Sequence, residues 1–278
     1  MKKNRSRVLI TGGAGFIGSH LAESLLAEGH HVTVIDNLST GKRKNVSLLR
    51  AHPKFTLVVG DVLNSTLMKR LVVECDSIYH LAATVGVDLV VEDPIRAIQN
   101  NIRGAEQVFE LAAHYQRKIF TASTSEIYGK ATKIPFRETD DCNYGPTYNA
   151  RWSYAYSKAI DEFIGLALWR KQRLPVVVGR LFNTVGPRQT GRYGMVIPRF
   201  LNQALTGKPI TIYGDGRQTR CFAYVGEVVR AMMMLMATPK AYGEIFNIGD
   251  KISDAEIIAI EKKGVTVLYK GQKVTITP

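Results

Sequence analysis

The chain has 278 residues, 45% hydrophobic and 22% charged, enough to bury a full core in a water-soluble globular protein. Its formal charge of +13 comes from scattered basic residues, with Lys42–Lys44 as a short run; this argues against nucleic-acid binding and fits a cleft for a small polyanion. Cys75, Cys142 and Cys221 are far apart and the six histidines form no cluster, so no disulfide framework and no metal site is expected. No apolar run reaches the ~20 residues of a membrane helix and Val8–Ile10 is too short for a signal sequence, so a cytoplasmic protein in a reducing compartment is expected.

Strand and helix signals alternate from the start. Val8–Thr11 reads as a buried strand, Phe16–Ala27 as a helix and His31–Ile35 as the next strand. Phe55–Val59, Ser77–Leu81, Lys118–Thr121 and Val176–Val178 continue the strands, with Asn64–Glu74, Pro94–Tyr115 and Tyr154–Lys171 as helices between them. This alternation predicts an α/β fold with a Rossmann-like, doubly wound parallel sheet. The first strand and helix are joined by Gly12-Gly13-Ala14-Gly15-Phe16-Ile17-Gly18. Glycines at 12, 15 and 18 permit a tight turn, close approach of a pyrophosphate and close helix–strand packing. The helix start then offers unpaired N–H groups to that anion. Asp36 ends the second strand, where a carboxylate accepts a hydrogen bond from a ribose 2′-OH and repels a 2′-phosphate. NAD rather than NADP is the expected cofactor, although Lys42 and Arg43 stand close by; the competing role for Asp36 is that of a turn residue. Asp61, after the third strand, either faces the adenine or caps a helix.

Tyr154 and Lys158 stand four apart at a helix start and so share a face. An adjacent ammonium stabilises a phenolate, lowering a tyrosine pKa from ~10 toward neutrality, where it serves as a general base. Farther on, Glu244–Ile248 reads as a strand and Asp254–Lys262 as a short helix. Val265–Tyr269 and Val274–Ile276 read as a hairpin turning through Lys270–Lys273. The expected division is an NAD-binding domain over residues 1–182 and a substrate lobe over residues 183–278.

The motifs together resemble the extended short-chain dehydrogenase/reductase family of nucleotide-sugar epimerases, dehydratases and decarboxylases. Besides Thr11–Gly18, Asp36-Asn37 and Tyr154–Lys158, the matching pieces are Gly60-Asp61, His80–Ala83 and Ser123–Gly129. Arg180–Asn183, Gly186–Arg188 and Tyr213–Gly216 with Arg220 complete the match, which spans residues 7 to 249. The resemblance implies cofactor contacts from Gly12, Gly15, Phe16, Ile17, Gly18, Asp36, Asn37, Asp61 and Val62. It extends them to Leu81, Ala82, Ala83, Tyr154 and Lys158. It casts Tyr154 as the base at the sugar 4-OH, Lys158 as its tuning cation, and Thr124 as a hydroxyl that orients the proton. Thr84 and Ser125 would meet the sugar, and Asn183, Arg188 and Arg220 the nucleotide diphosphate of a UDP-sugar. An arginine fork suits phosphate; a surface charge is the alternative for Arg188 and Arg220. Val196 and Tyr213 either line the base pocket or belong to the core. By resemblance the chain is also expected to form a homodimer through the helices Pro94–Tyr115 and Tyr154–Lys171, without nucleic-acid or membrane partners.

All members share an initial oxidation at sugar C4, so Glu126 carries the choice of reaction. A glutamate there resembles sugar 4,6-dehydratases and UDP-glucuronate decarboxylases, whereas simple 4-epimerases carry a small or apolar residue. Ser125 replaces the aspartic acid that dehydratases use to protonate a leaving hydroxyl. The resemblance is therefore closest to UDP-glucuronate decarboxylases, which form UDP-xylose. A UDP-glucose or UDP-glucuronate 4-epimerase, a 4,6-dehydratase and an idle NAD-binding scaffold remain as alternatives. Two stretches depart from the family pattern: Thr84–Asp88, and the segment from Lys251, where the substrate lobe looks shortened and its sugar pocket either more open or completed by a partner.

Overall fold

In the computed structural model the chain runs β1 (Arg7–Thr11), α1 (Phe16–Ala27), β2 (His31–Asp36), β3 (Phe55–Val59), α2 (Ser65–Glu74), β4 (Ser77–His80) and α3 (Pro94–His114). It continues through β5 (Lys118–Thr124), α4 (Trp152–Gln172), β6 (Val176–Leu181), β7 (Asn183–Val185) and α5 (Val196–Leu205). The last elements are β8 (Phe222–Tyr224), α6 (Val225–Met236), β9 (Glu244–Ile248), β10 (Glu256–Glu261), β11 (Gly264–Tyr269) and β12 (Gln272–Ile276). The structure describes residues 5–86, 91–190, 195–217, 220–249, 256–261, 264–269 and 272–276. Val87 and Asp88, part of the stretch expected to meet the sugar, lie outside the described residues, as do residues 250–255 and the Lys270-Gly271 turn.

Seven parallel strands form the main sheet in the order β3-β2-β1-β4-β5-β6-β9. This is the doubly wound Rossmann-like arrangement, in which the order reverses beside β1 and opens a crevice at the carboxyl ends of β1 and β4. The side-chain alternation of β1 builds both faces. Val8 and Ile10 join Leu21, Leu25, Val228 and Met232 on the side of α1 and α6. Leu9 joins Met68, Val72, Val108 and Phe109 on the side of α2 and α3. With both faces covered, the strands are nearly continuous apolar runs.

Local chemistry sets the element boundaries. The Asn64 side chain accepts from Leu67 N to start α2, and Asp93 accepts from Arg96 N ahead of Pro94 to start α3. Arg173, in the left-handed region at φ 56°, ends α4. Gly12 has φ 71°, and a Cβ there would stand 2.8 Å from Ala82 N, so the turn after β1 can lie against the end of β4 only as glycine. The Thr11 hydroxyl fastens the same junction by accepting from Leu81 N and Ala82 N.

The chain end departs from expectation. Residues Glu256–Glu261 form a strand, not a helix, and pair antiparallel with β11, which pairs with β12. Three strands therefore replace the expected helix and two-stranded hairpin. Ile257, Ile258 and Ile260 explain the outcome: β-branched side chains lose rotamer freedom in a helix and suit a strand that has a partner.

Candidate functional site

The carboxyl ends of β1, β2, β4 and β5 open into a cleft of about 410 Å³ whose far wall is Leu181–Val185, Arg188–Thr190 and Met195–Pro198. Its volume is in the range of a small-molecule site. Every residue expected to touch the cofactor lines this cleft except Lys158.

The α1 end carries the features of a dinucleotide cradle. The first turn of α1 has no side-chain cap and begins at Gly15, leaving the Phe16 and Ile17 N–H groups for an anion. A Cβ on Gly18 would come 2.5 Å from Gly12 O, so the helix packs this tightly on the turn only with glycine there. Asp36 is buried at the tip of β2. Its Oδ2 accepts from Ala14 N at 2.9 Å and its Oδ1 from Leu38 N at 2.8 Å. Burial pushes its carboxyl up in pKa, and these two N–H groups oppose that by favouring the anion. The same two bonds fix the β2 turn, so Asp36 holds its loop as well as facing the cleft. Asp61 caps no helix; it accepts from Leu63 N and from the Asn37 amide, and Asn64 has the capping role. An uncapped glycine-framed helix start and a carboxylate at the end of the neighbouring strand fit a dinucleotide.

At the other end stand Thr124, Ser125, Glu126 and Tyr154. Thr124 ends β5, and its hydroxyl oxygen accepts from Glu126 N at 3.2 Å to start the 3-10 turn Ser125–Tyr128. The same hydroxyl stands near the Tyr154 phenol and favours its ionised form. Tyr154 is the third residue of α4. Its pKa lies above the usual tyrosine value, raised first by burial and then by the negative charges of Glu126 and Asp161, with the Thr124 hydroxyl opposing. This corrects the expected lowering by Lys158. The Lys158 ammonium is 2.5 Å from Asp161 Oδ2, and the two side chains are 3% and 1% exposed. Paired inside the wall, its charge is offset, and the carboxylates and burial dominate. Glu126 is itself lifted by burial, with Arg151 opposing.

His80 lies beneath this cluster. Its Nδ1 is 2.8 Å from the Thr11 hydroxyl. Because that hydroxyl already accepts from two backbone N–H groups, we assign its proton to Nδ1 and the ring proton to Nε2. Burial first, and then Lys158, hold the imidazole neutral, with its pKa pushed down to about 3. Asn101 ties α3 in through Thr84 N at 2.7 Å and the Ser157 hydroxyl at 3.3 Å. Behind Thr124, the Ser123 hydroxyl donates to Glu162 at 2.6 Å. Glu162 takes a two-pronged bond from Arg180, at 2.9 and 2.8 Å.

On the far wall the expected residues separate. Thr84, Ser125, Asn183, Arg188 and Val196 line the cleft, whereas Tyr213 and Arg220 are not among its lining residues. Arg188 reaches back to α1, where it pairs with Glu23 at 2.7 Å and donates to Ser19. The Tyr213 ring lies under the Arg199 guanidinium at 4.4 Å. Asp161, His80 and Asn101 were not singled out as site residues from the sequence. For Asp161 a signal was present, since positions 154, 158 and 161 fall on one helical stripe. Among the described residues no group of three or more His, Cys, Asp or Glu could hold a metal, and no helix is long and apolar enough to cross a membrane.

The sequence model of the NAD dependent epimerase/dehydratase family matches residues 8–249. A UDP-N-acetyl-alpha-D-glucosaminuronate decarboxylase of Bacillus cytotoxicus is 45% identical over 248 residues, covering 89% of this chain and 76% of that protein. UDP-glucuronic acid decarboxylase 1 of Xenopus tropicalis is 38% identical over 84% of this chain, which spans only 54% of that relative's length. Among solved structures, UDP-glucuronic acid 4-epimerase from Bacillus cereus, in complex with UDP-glucuronic acid and NAD, superposes with a TM-score of 0.79 at 34% identity. That match covers 88% of this chain and 78% of the epimerase. UDP-N-acetylglucosamine 4-epimerase from Methanobrevibacter ruminantium superposes with a TM-score of 0.81 at 32% identity, over 89% of this chain and 77% of that one.

Proposed function

The chain belongs to the NAD-dependent epimerase/dehydratase family, and from that premise we propose that it decarboxylates a UDP-hexuronate. The substrate is UDP-glucuronate or its 2-acetamido counterpart, the classes named for two decarboxylases it is similar to. The cofactor of the family is NAD, held here by the Gly12–Gly18 turn and Asp36. When bound, oxidised NAD supplies reversible oxidation at sugar C4 and a positive charge beside the phenol.

The observation that carries the reading is Glu126, a half-buried glutamate whose carboxyl is lifted in pKa by burial, beside Tyr154. A neutral glutamic acid tolerates a substrate carboxylate that a glutamate anion would repel. Once C4 is a ketone, the sugar is a β-keto acid and loses CO₂ without an external base. Tyr154 takes the 4-OH proton at the outset. Tyr154 and Thr124 then place two hydroxyl groups where the keto oxygen gathers negative charge. Glu126 gives its proton to C5 as the carboxylate departs, a role its raised pKa favours. Ser125 offers no acid for expelling a hydroxyl, which disfavours dehydration. Within residues 183–278, α6 and β9 complete the main sheet and its cover, and the remainder acts as the substrate lobe, with Asn183 and Val196 facing the nucleotide.

The test is incubation of the protein and NAD⁺ with UDP-glucuronate, UDP-N-acetylglucosaminuronate and UDP-glucose in turn, read by product mass and sugar stereochemistry. Loss of CO₂ from a uronate is the expected result. A uronate of unchanged mass with inverted C4 would overturn the reading in favour of epimerisation, and loss of water from UDP-glucose in favour of dehydration.

A further inference from the structure

Asp161 has no part in the reaction as set out above, yet it holds a central place in the wall of the cleft. It is 1% exposed, its Oδ2 grips the Lys158 ammonium at 2.5 Å, and its Oδ1 is buried with no hydrogen-bond partner among the described residues. Lys158 is as deeply enclosed and does not line the cleft, whereas Tyr154, one turn earlier on the same stripe, does. A lysine buried to this degree keeps its charge only beside a counter-charge, and Asp161 supplies one.

We propose that Asp161 is a positioning residue: it retains the Lys158 ammonium in the interior and offsets its charge, so that Tyr154 stays a phenol in the ligand-free protein. The charged and titratable groups around this pair are few. On α4 they are Tyr154, Lys158 and Glu162, and Glu162 is neutralised by Arg180 of β6 at 2.8 Å. β4 contributes His80, held neutral, and the turn after β5 contributes Glu126. The buried face of α3 presents Ala97, Asn101, Gly104, Ala105 and Val108, none charged. Asp161 acts on the phenol in two ways with one sign. Its own charge opposes ionisation of Tyr154, and its grip on Lys158 withholds the nearest compensating cation. Occupation of the cleft by a positively charged ring and a ribose competes for both.

The inference rests on Tyr154 as the base but not on which sugar is transformed, so it is tested on ligand-free protein. Tyrosines labelled with ¹³C at Cζ are titrated by NMR, with Tyr154→Phe assigning the signal. In Asp161→Asn the Tyr154 signal is expected to titrate lower than in the parent by about one pH unit or more, and Asp161→Glu is expected to restore the parent value. With an active sugar, the acid limb of the kcat profile moves to lower pH by a similar amount. A Tyr154 titration in Asp161→Asn that superimposes on the parent overturns the proposal and leaves Asp161 a structural ion-pair partner. If Asp161→Asn does not fold, Asp161→Ser is held to the same criterion. Absence of turnover with every uronate sinks the proposed reaction while leaving the titration result standing.

Discussion

Glu162 is the perturbation whose cost follows most directly from the geometry. Its carboxylate receives two bonds from Arg180, at 2.9 and 2.8 Å, and one from Ser123 at 2.6 Å. Both members of the ion pair are nearly enclosed, at 7% and 5% side-chain exposure. Replacing Glu162 with glutamine keeps the shape and one acceptor but leaves a buried guanidinium without its counter-charge, a change that costs about 3–5 kcal/mol. Arg180 donates to the Tyr128 hydroxyl at 2.9 Å and lies 4.9 Å from the centre of that ring, contacts present in parent and variant alike that cancel in the difference. The expected loss is therefore about 3–5 kcal/mol, a large share of the ~5–15 kcal/mol that typically stabilises a domain. Urea unfolding, read as the shift in midpoint multiplied by the slope, measures it. The double variant Glu162→Leu with Arg180→Met removes both charges, at the cost of the bonds to the Ser123 hydroxyl, the Tyr128 hydroxyl and the Glu138 carbonyl oxygen, so it is expected to recover about half the loss. A Glu162→Gln loss below about 1 kcal/mol, or a double variant weaker than the single, would refute the view of this pair as a mutually dependent buried bridge.

Glu126→Gln is expected to leave NAD binding within about twofold and to lower kcat by roughly 10²–10³; unchanged turnover on the active sugar removes Glu126 from the chemistry. Asp36→Asn keeps one acceptor, so either the Ala14 or the Leu38 bond is lost, and drops the charge, so the preference for NAD over NADP should narrow by about tenfold. Competitive binding of the two cofactors reads it, and an unaltered ratio assigns Asp36 to the loop alone. His80 titrates in the folded protein at about 3, below the ~6.5 of an unfolded histidine. The unfolded chain therefore binds more protons between those values, and the His80 contribution to stability is lost as pH falls through that window. Asp161 and Glu126 are raised instead, so their contributions have the opposite sign. Comparison with His80→Gln isolates the histidine: the parent should lose stability more steeply between about pH 6.5 and 4, and parallel curves contradict the assignment.

Much of the sheet is legible because strands covered on both faces become apolar runs, as in Val8–Ile10 and Val176–Val178. The cofactor end is legible for a related reason: the Gly12–Gly18 spacing and Asp36 are local in sequence. The catalytic end is less so. Tyr154 and Lys158 share a helical stripe, but whether the ammonium serves the phenol depends on Asp161 and on burial, which only the packed structure sets. Arg188 illustrates the same limit, since its partners Ser19 and Glu23 lie on the other side of the cleft and far back in the chain. The strand at Glu256–Glu261 was obscured because its charged ends and central alanine suit a helix. Pairing with Val265–Leu268 decides it, and pairing is not a local property.

The strand order also bears on how the protein is made. Of the strands of the main sheet β1 is made before the others and lies inside it, third of seven, and later strands are added outward on either side. β6, whose Val176–Arg180 are all buried in the finished protein, has its outer neighbour only when Glu244–Ile248 has been synthesised. Throughout the intervening stretch the nascent chain carries an unpaired apolar edge, the kind of surface that recruits chaperones and seeds aggregation. Vectorial synthesis thus makes β9 the closing stroke of the sheet, and a stall or cut before it leaves a chain that has its cofactor turn but no sealed core.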